Sequence, residues 1–499
     1  MTTQTSSNAP LKLNMKRTML IGFAFFGILL LWQVYDSWCP TFLSEMFVKM
    51  VHPDYVDLRA INDADSIAKC NAYVEDVQYI VGIMMAIDNI AALILLPIFG
   101  RLSDRTHTKI GKRMPYILFG TFVCAVAFPF IPVLFHYNNL AGVIVMMAIV
   151  VLFAMMYRNP AVALMPDITP KPLRSKANGI INIMGYIGGA FATLVGLVFA
   201  LSDYLGTTLD KETKLYAAHT WAFNNIWAIE LPFLIASVLM LASAVVLFFT
   251  VKENKVAEEV RDDMARGEKY AEVVDKVEED KPLSKTNRNI LILILVAEFF
   301  WFMADNGINT FMGNYAVYFL GTSTRSSMVN IIVGGVGSVA GFAVGGYIAS
   351  RLTRKWTLVS GLALSVVSYA LWAILTFAIP GLKNSGQFPF WIYVIWFVKG
   401  FGMSLVHVNS FPMVVELCPN SKIGQFTGYY YASSMAAQTV TPVALGALLL
   451  TKGFSWEYLP IYALACCLIA LVVFFLVKNV KNVKTRFTKG LEAIGENDD

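Results

Sequence analysis

Charged residues are scarce in this chain: only 15% of its 499 residues are Asp, Glu, Lys or Arg. Soluble domains carry about 25%, so the sequence has too little charge to cover an ordinary water-exposed surface. Hydrophobic residues make up 57% and aromatic residues 13%. This balance indicates that a lipid bilayer surrounds most of the chain.

Motifs for metals, nucleotides and nucleic acids are also missing. The six cysteines form no C-x-x-C pair and no Cys/His spacing typical of metal sites, so we expect no metal and no cofactor. The stretch GGVGSVAG lies inside an apolar segment without a following Walker lysine, which argues against ATP-driven transport. A net charge of +5, scattered over loops, argues against a nucleic-acid partner.

Apolar segments, by contrast, are abundant. A helix needs about 20 mostly apolar residues to cross a hydrocarbon core of about 30 Å. About twelve segments meet this length, centred near Phe26, Ile90, Val126, Val151, Gly188, Leu239, Phe302, Gly341, Val366, Phe397, Met435 and Leu468. The sequence therefore predicts an all-α membrane protein with twelve transmembrane helices.

Basic residues collect in alternate loops, above all in GRLSDRTHTKIGKR at 100–113. The positive-inside rule places such loops in the cytoplasm. We therefore predict a multi-pass protein of the plasma (cell inner) membrane with both termini cytoplasmic. The first loop on the opposite side, predicted at 36–78, is rich in acidic residues. It holds Cys39 and Cys70, for which free thiols and a disulfide both remain open.

An internal repeat divides the chain into two halves. MPDITPKPLRSKANG and VVELCPNSKIGQFTG align at a constant separation of 249 residues, with Asp167 opposite Glu416. Two such six-helix halves with a substrate site between them build one large transporter class. The predicted order is a cytoplasmic N-terminus (1–17), an N-terminal half (18–251), a cytoplasmic linker (252–289), a C-terminal half (290–478) and a cytoplasmic tail (479–499).

Several stretches resemble a known family. PIFGRLSDRTHTKIGKRMPYI resembles the loop between helices two and three of the major facilitator superfamily. Its SDR and GKR elements resemble the glycoside–pentoside–hexuronide cation symporters, the plant sucrose carriers and the sugar transporters of solute carrier family forty-five. NPAVALMPDIT resembles the fourth-helix motif of the sucrose carriers, and WQVYDSWCPTFL and HVNSFPMVVE resemble first- and tenth-helix segments of the same group. The resemblance implies a major facilitator fold and cation-coupled sugar transport.

Two departures from the family pattern bear on mechanism. The sucrose carriers have an arginine where this chain has Val162, but Arg158 lies one helical turn away on the same face. Melibiose-type carriers have two carboxylates one turn apart in helix two, which suits sodium. This chain has Asp88 alone, between Met84 and Ala92, and a single carboxylate is a poor oxygen cage for a hard cation. Protons are therefore the favoured coupling ion.

Ionisable residues inside apolar segments cost about 2.5–3.5 kcal/mol each, so each requires a partner or a watery cavity. We predict proton coupling at Asp88 and Arg158, with a moving Arg158 or Lys399 tuning Asp88 and a static ion pair as the alternative. Glu298 is a further carboxylate of this kind. Carboxylates, amides and arginine bind sugar hydroxyls, and aromatic rings contact the sugar face. The predicted substrate residues are Gln33, Tyr35, Asp36, Arg158, Trp301, Asp305, Asn309, Lys399, His407 and Asn409.

The basic stretch has two interpretations, a cytoplasmic gate latch that breaks when the halves rock and a topology signal alone. The predicted gate residues are Asp104, Arg105, Lys112, Arg113, Asp167 and Glu416. The predicted function is import of a sugar or glycoside by a monomer through proton symport, with a disaccharide such as maltose or sucrose favoured. Sodium coupling and a non-sugar substrate are the alternatives. A membrane enzyme or sensor is remote, since the sequence shows no compact acid/base cluster and no output domain.

Overall fold

The chain folds into a bundle of long helices. The computed structural model describes residues 11–170, 173–210, 213, 215–216, 229–267, 285–417, 423–451 and 453–477. The long helices in these ranges are α1 Met15–Val51, α2 Ala64–Arg105, α3 Met114–Ala127, α4 Leu140–Asp167, α5 Arg174–Val198, α6 Glu230–Thr250, α7 Lys285–Asn314, α8 Thr324–Leu352, α9 Arg354–Ala378, α10 Phe390–Glu416, α11 Ile423–Leu449 and α12 Leu459–Phe475.

Short elements extend or connect these helices. They are the helices Tyr55–Ile61, Phe130–His136, Leu201–Leu205 and Glu253–Glu259, the π turn Tyr315–Phe319 after α7 and the 3-10 turn Trp456–Tyr458 before α12. Counted with their extensions, twelve helices in the described part of the chain are long and apolar enough to cross a membrane. The prediction of an all-α membrane protein with twelve spanning helices is therefore confirmed.

The first two helices are longer than predicted. We expected a loop at 36–78, but α1 runs to Val51, α2 begins at Ala64, and only 52–63 lies between them. At 1.5 Å per residue, the 37 residues of α1 and the 42 of α2 span about 55 and 63 Å, about twice the hydrocarbon thickness. Their charged turns therefore lie beyond the lipid. Glu45, for example, is fully buried on α1 and pairs with Arg59 at 3.2 Å.

The two halves repeat one packing scheme. In the N-terminal half α1 packs on α5 and α6, and α4 packs on α2 and α3. In the C-terminal half α7 packs on α11 and α12, and α10 packs on α8 and α9. Each pair has its counterpart six helices later, so the predicted pseudo-symmetry is confirmed.

The halves meet through α2 with α11, α5 with α8, and α1 with α7. We call the end of the bundle at Val51 and Ala64 the distal face, and the end at Met15 and Arg105 the terminal face. Near the distal face, Asn314 Nδ2 donates to Gln78 Oε1 at 3.2 Å across the halves, and Ser202 and Thr324 hydroxyls lie 3.2 Å apart. Asp203 of the N-terminal half pairs with Arg325 of α8 at 3.1 Å.

The described contacts between the halves lie between the middle of the bundle and the distal face. Asn89 of α2 donates to the Gln438 carbonyl of α11 at 3.4 Å, about midway along the bundle. The structure therefore represents a state closed at the distal face.

Cys39 and Cys70 are both free and buried in this structure, so they do not form a disulfide.

Candidate functional site

The N-terminal half places a charged pair on its central helices. Trp32 and Asp36 lie one turn apart on α1, and Arg158 comes from α4. The Arg158 guanidinium carbon lies 5.9 Å from the centre of the Trp32 ring, a cation–π distance. Asp36 is exposed and lies within electrostatic range of Arg158, although no described carboxylate is within 4 Å of that guanidinium.

The C-terminal half repeats this arrangement. Trp301 and Asp305 of α7 have the same spacing as Trp32 and Asp36, and Asp305 forms an ion pair with Lys399 of α10. Asn309 Nδ2 donates to Asp305 Oδ2 at 3.1 Å. Lys399 is 8% exposed and Asp305 21%, so this pair is largely withdrawn from water.

His407 is the C-terminal counterpart of Arg158 at the repeat separation of 249 residues. Its ring centre lies 5.4 Å from that of Phe302, and it lies within electrostatic range of Asp305. In each half, a carboxylate of the first helix thus lies within electrostatic range of a basic side chain of the fourth.

Tyrosines from both halves complete the centre. Tyr186 of α5 lies within electrostatic range of Asp305, and Tyr431 of α11 within range of Arg158. Their side chains are 64% and 56% exposed. The polar centre is the set Asp36, Arg158, Tyr186, Asp305, Asn309 and Tyr431. The sequence interpretation missed both tyrosines, although Tyr431 aligns with Asn182 in the repeat and Tyr186 follows Asn182 by one turn.

Asp88 has a neutral partner. Tyr35 of α1 is fully buried, and its hydroxyl donates to Asp88 Oδ2 at 2.5 Å. No described cation lies within 4 Å of Asp88, so neither Arg158 nor Lys399 pairs with it in this state. The next residue, Asn89, makes the midway contact between the halves. A movement of α11 relative to α2 therefore acts on the turn that carries Asp88.

Other predicted substrate residues are not brought to the polar centre. Trp301 is fully buried and packs on Phe474, because its position on α7 faces the interior of the C-terminal half. Asn409 is 2% exposed and donates to the Leu405 carbonyl of its own helix at 2.8 Å. Gln33 is half-buried and donates to Ser37, one turn along α1, at 3.3 Å.

The basic stretch forms a charge cluster at the terminal face. Arg113 Nε donates to Asp167 Oδ2 at 2.8 Å, Arg113 also pairs with Asp104, and Lys112 Nζ lies 3.0 Å from Asp167. Burial alone would lower the pKa of the Arg113 guanidinium, but Asp167 and Asp104 outweigh burial and raise that pKa above its usual value. The cation therefore stays charged.

In this state the cluster holds one half together, and its role as a latch between the halves stays a prediction. Asp104 lies on α2, Arg113 directly precedes α3, and Asp167 is the last residue of α4. The cluster therefore joins helices of one half. Arg105 is exposed, and the side chain of Glu416 lies outside the described residues. The described contacts of this cluster hold three helices of the N-terminal half together.

Glu253 is a terminal-face residue that the sequence interpretation missed. Its carboxylate accepts the backbone N–H groups of Lys112 at 2.9 Å, Arg113 at 3.0 and 3.1 Å, and Met114 at 3.0 Å. It thereby caps the first turn of α3, where helices present free donors. A Cβ at Gly111 would lie 2.1 Å from Glu253 Oε2, so this approach requires glycine. The segment predicted as a plain linker thus begins as a structural element.

Comparison with known proteins now decides the family. The profile of the Major Facilitator Superfamily matches residues 74–386 and 294–495, which together cover most of the chain. The chain belongs to the Major Facilitator Superfamily. It is a multi-pass membrane protein and a transporter. Among curated sequences, none is significantly similar to it.

Solved structures of known transporters share its fold. The transporter is similar to the inward-open xylose transporter XylE from E. coli, with a TM-score of 0.59, 14% identity, and coverage of 96% of this chain and 99% of that one. A D-xylose–proton symporter has a TM-score of 0.60 and 14% identity, with coverage of 94% of this chain and 98% of that one. A bacterial homologue of the iron transporter ferroportin, in an inward-facing state, has a TM-score of 0.60 and 14% identity, with coverage of 93% of this chain and 99% of that one. At this identity the likeness establishes the fold alone.

Proposed function

We propose that this transporter imports a sugar or glycoside by proton symport, with a disaccharide such as maltose or sucrose favoured. It would work as a monomer of the glycoside–pentoside–hexuronide or solute carrier family forty-five type, by alternating access in the plasma (cell inner) membrane. The observation that carries the proposal is the convergence of Asp36 and Arg158 from one half with Asp305 and Asn309 from the other.

The polar centre has the chemistry that a sugar requires. Carboxylates and arginine make strong, directional hydrogen bonds with neighbouring hydroxyls. Trp32 and the exposed rings of Tyr186 and Tyr431 offer apolar faces beside these groups. A ligand bound by groups from both halves would couple the position of one half to that of the other, and alternating access requires this coupling.

Proton coupling is favoured by the surroundings of Asp88. One carboxylate with a single tyrosine donor at 2.5 Å offers too few oxygen ligands for sodium. It does suit a proton, because loss or gain of the Tyr35 hydrogen bond changes the stability of the charged form. The D-xylose–proton symporter of the same fold supports this proposal by analogy.

The proposed orientation follows from the charge of the two faces. Arg17, Arg113 and the other cations of the basic stretch lie at the terminal face, which the positive-inside rule assigns to the cytoplasm. On this assignment both termini are cytoplasmic, and the structure is an inward-facing state.

Transport in proteoliposomes tests the proposal. A panel of radiolabelled mono- and disaccharides is offered under an imposed pH gradient and, separately, a sodium gradient. We expect accumulation of a disaccharide with the pH gradient only. Asp88→Asn should abolish accumulation but retain exchange of labelled for unlabelled sugar, whereas Glu258→Gln, which alters an exposed carboxylate, should keep both. Uptake of no sugar would refute the substrate, and full accumulation by Asp88→Asn would remove Asp88 from coupling.

A further inference from the structure

A second carboxyl group lies buried on α7. Glu298 has no exposed surface, and neither of its carboxylate oxygens has a hydrogen-bond partner among the described residues. It belongs neither to the polar centre nor to the Tyr35–Asp88 pair. A group of this kind requires an explanation, because buried polar atoms in proteins are nearly always paired.

The surroundings of Glu298 contain no compensating charge. The titratable groups within electrostatic range are Tyr430 and Tyr431 of α11, and the Tyr430 hydroxyl is already bonded to Ser410 of α10 at 2.8 Å. No charged side chain described on α1, α8, α10, α11 or α12 lies within ion-pair distance of it. The neighbouring Ile294, Ala297 and Trp301 of α7 are themselves fully buried.

The protonation state follows from this environment. An ionised carboxylate without a cation or donor is strongly disfavoured in a dry apolar site, and such a group takes up a proton instead. The neutral acid also lacks a hydrogen-bond partner here, but burying it costs much less free energy than burying the charged carboxylate. Glu298 is therefore a carboxylic acid in the state closed at the distal face.

The position of Glu298 connects it with the polar centre. It precedes Asp305 by seven residues, or two helical turns, so both lie on one face of α7. Tyr431 is exposed and interacts electrostatically with both Glu298 and Arg158. The cover over Glu298 is α11, whose Ser433 hydroxyl donates to the Leu295 carbonyl of α7 at 2.8 Å.

We propose that Glu298 is a second proton-binding site, which holds its proton while the distal face is closed and exchanges it with the polar centre when the two halves rock and that face opens. In the exchange the carboxyl O–H bond breaks, the electron pair stays on Glu298, and water in the polar centre accepts the proton. The inference rests on the proposed proton coupling but concerns a different residue from Asp88.

Infrared spectroscopy of the purified protein in lipid tests this site without any substrate. We expect the C=O stretching band of a protonated carboxylic acid at neutral pH, and its loss in Glu298→Gln. Glu258→Gln, which alters an exposed carboxylate, and Asp88→Asn should keep the Glu298 band. An identical band in wild type and Glu298→Gln would overturn the proposal. If Glu298→Gln does not fold, Glu298→Leu provides the same comparison.

A disulfide across the distal face tests the exchange. Cysteines in place of Ser202 and Thr324, whose hydroxyls lie 3.2 Å apart, should hold the face closed when oxidised. The band should then persist to a pH higher by about one unit or more than in the reduced protein. Equal titration in both forms would overturn the exchange. Because no sugar is involved, a band that behaves as expected beside failed sugar uptake would refute the proposed function and leave this site intact.

Discussion

Replacing Gly82 by alanine should shift the transporter towards a state open at the distal face. A Cβ at this position would lie 2.2 Å from the Pro442 carbonyl oxygen and 2.7 Å from its carbonyl carbon. Both atoms belong to the backbone of α11, so no side-chain rotation relieves the clash. Gly82 and Pro442 lie on opposite halves, and the contact exists only while α2 and α11 are closed together.

The size of the shift follows from the overlap. Ordinary van der Waals contact begins near 3.4 Å, so α2 and α11 must separate by more than 1 Å to admit the methyl group. Overpacking of this kind costs about 1–3 kcal/mol. Because about 1.4 kcal/mol is a factor of ten, a cost of about 2 kcal/mol lowers the closed population relative to the open one by about 30-fold. The gain in helix propensity from glycine to alanine is common to both states and cancels.

Thiol labelling measures the population. Ser44→Cys, in a background without native cysteines, introduces a reporter that is fully buried beside Gln78 in the closed state. A membrane-impermeant maleimide added at the distal face should label this reporter about 30-fold faster when Gly82→Ala is present. Gly313→Ala is the matched control, since a Cβ there meets no atom within 4 Å. Equal labelling rates in the two variants would refute the reasoning.

Two further predictions concern stability in detergent, measured by thermal unfolding. Lys399→Met leaves Asp305 without its cation and should cost about 3–5 kcal/mol, as for other buried pairs that lose one partner; the double variant with Asp305→Asn should recover most of this loss. A double variant no more stable than the single one would contradict the ion-pair argument. Glu253→Gln removes the charge that accepts three backbone N–H groups at the start of α3 and should cost about 1–2 kcal/mol. The exposed Glu258→Gln should change stability by less than about 0.5 kcal/mol, and equal effects of the two would contradict the capping role.

The twelve helices could be predicted because a helix that crosses the hydrocarbon core needs about 20 mostly apolar residues, and segments of this length are visible in the sequence. The ends of α1 and α2 could not, because charge beyond the lipid is compatible with either a loop or a continued helix. Pro40 does not mark the end of α1 either, because the helix continues through it to Val51. Glu45 was assigned to a loop for its charge, yet Arg59 and Tyr55 hold it on a buried turn.

The site was predictable to the extent that charge inside an apolar segment marks it. Asp36, Arg158 and Asp305 stand out in the sequence for this reason, and the structure brings them to the space between the halves. The pairings Tyr35–Asp88 and Glu253–Arg113 could not be predicted, because their members are 53 and 140 residues apart in the sequence. Such pairings depend on tertiary packing, of which one sequence gives no local sign.

The placement of ion pairs has a consequence for turnover speed. The well-buried pairs each lie within one half and travel with it: Glu45–Arg59, Arg113–Asp167 and Asp305–Lys399. Among the described residues, the contacts between the halves are neutral hydrogen bonds, the Glu75 carboxylate that accepts the Trp456 backbone N–H at 3.3 Å, and the Asp203–Arg325 pair, whose side chains are 23% and 53% exposed. Neutral hydrogen bonds contribute about 0.5–1.5 kcal/mol each and exposed ion pairs about 0–1 kcal/mol. For these three described pairs, rocking therefore leaves each buried cation beside its anion, and they add no large electrostatic component to the activation barrier for reorientation.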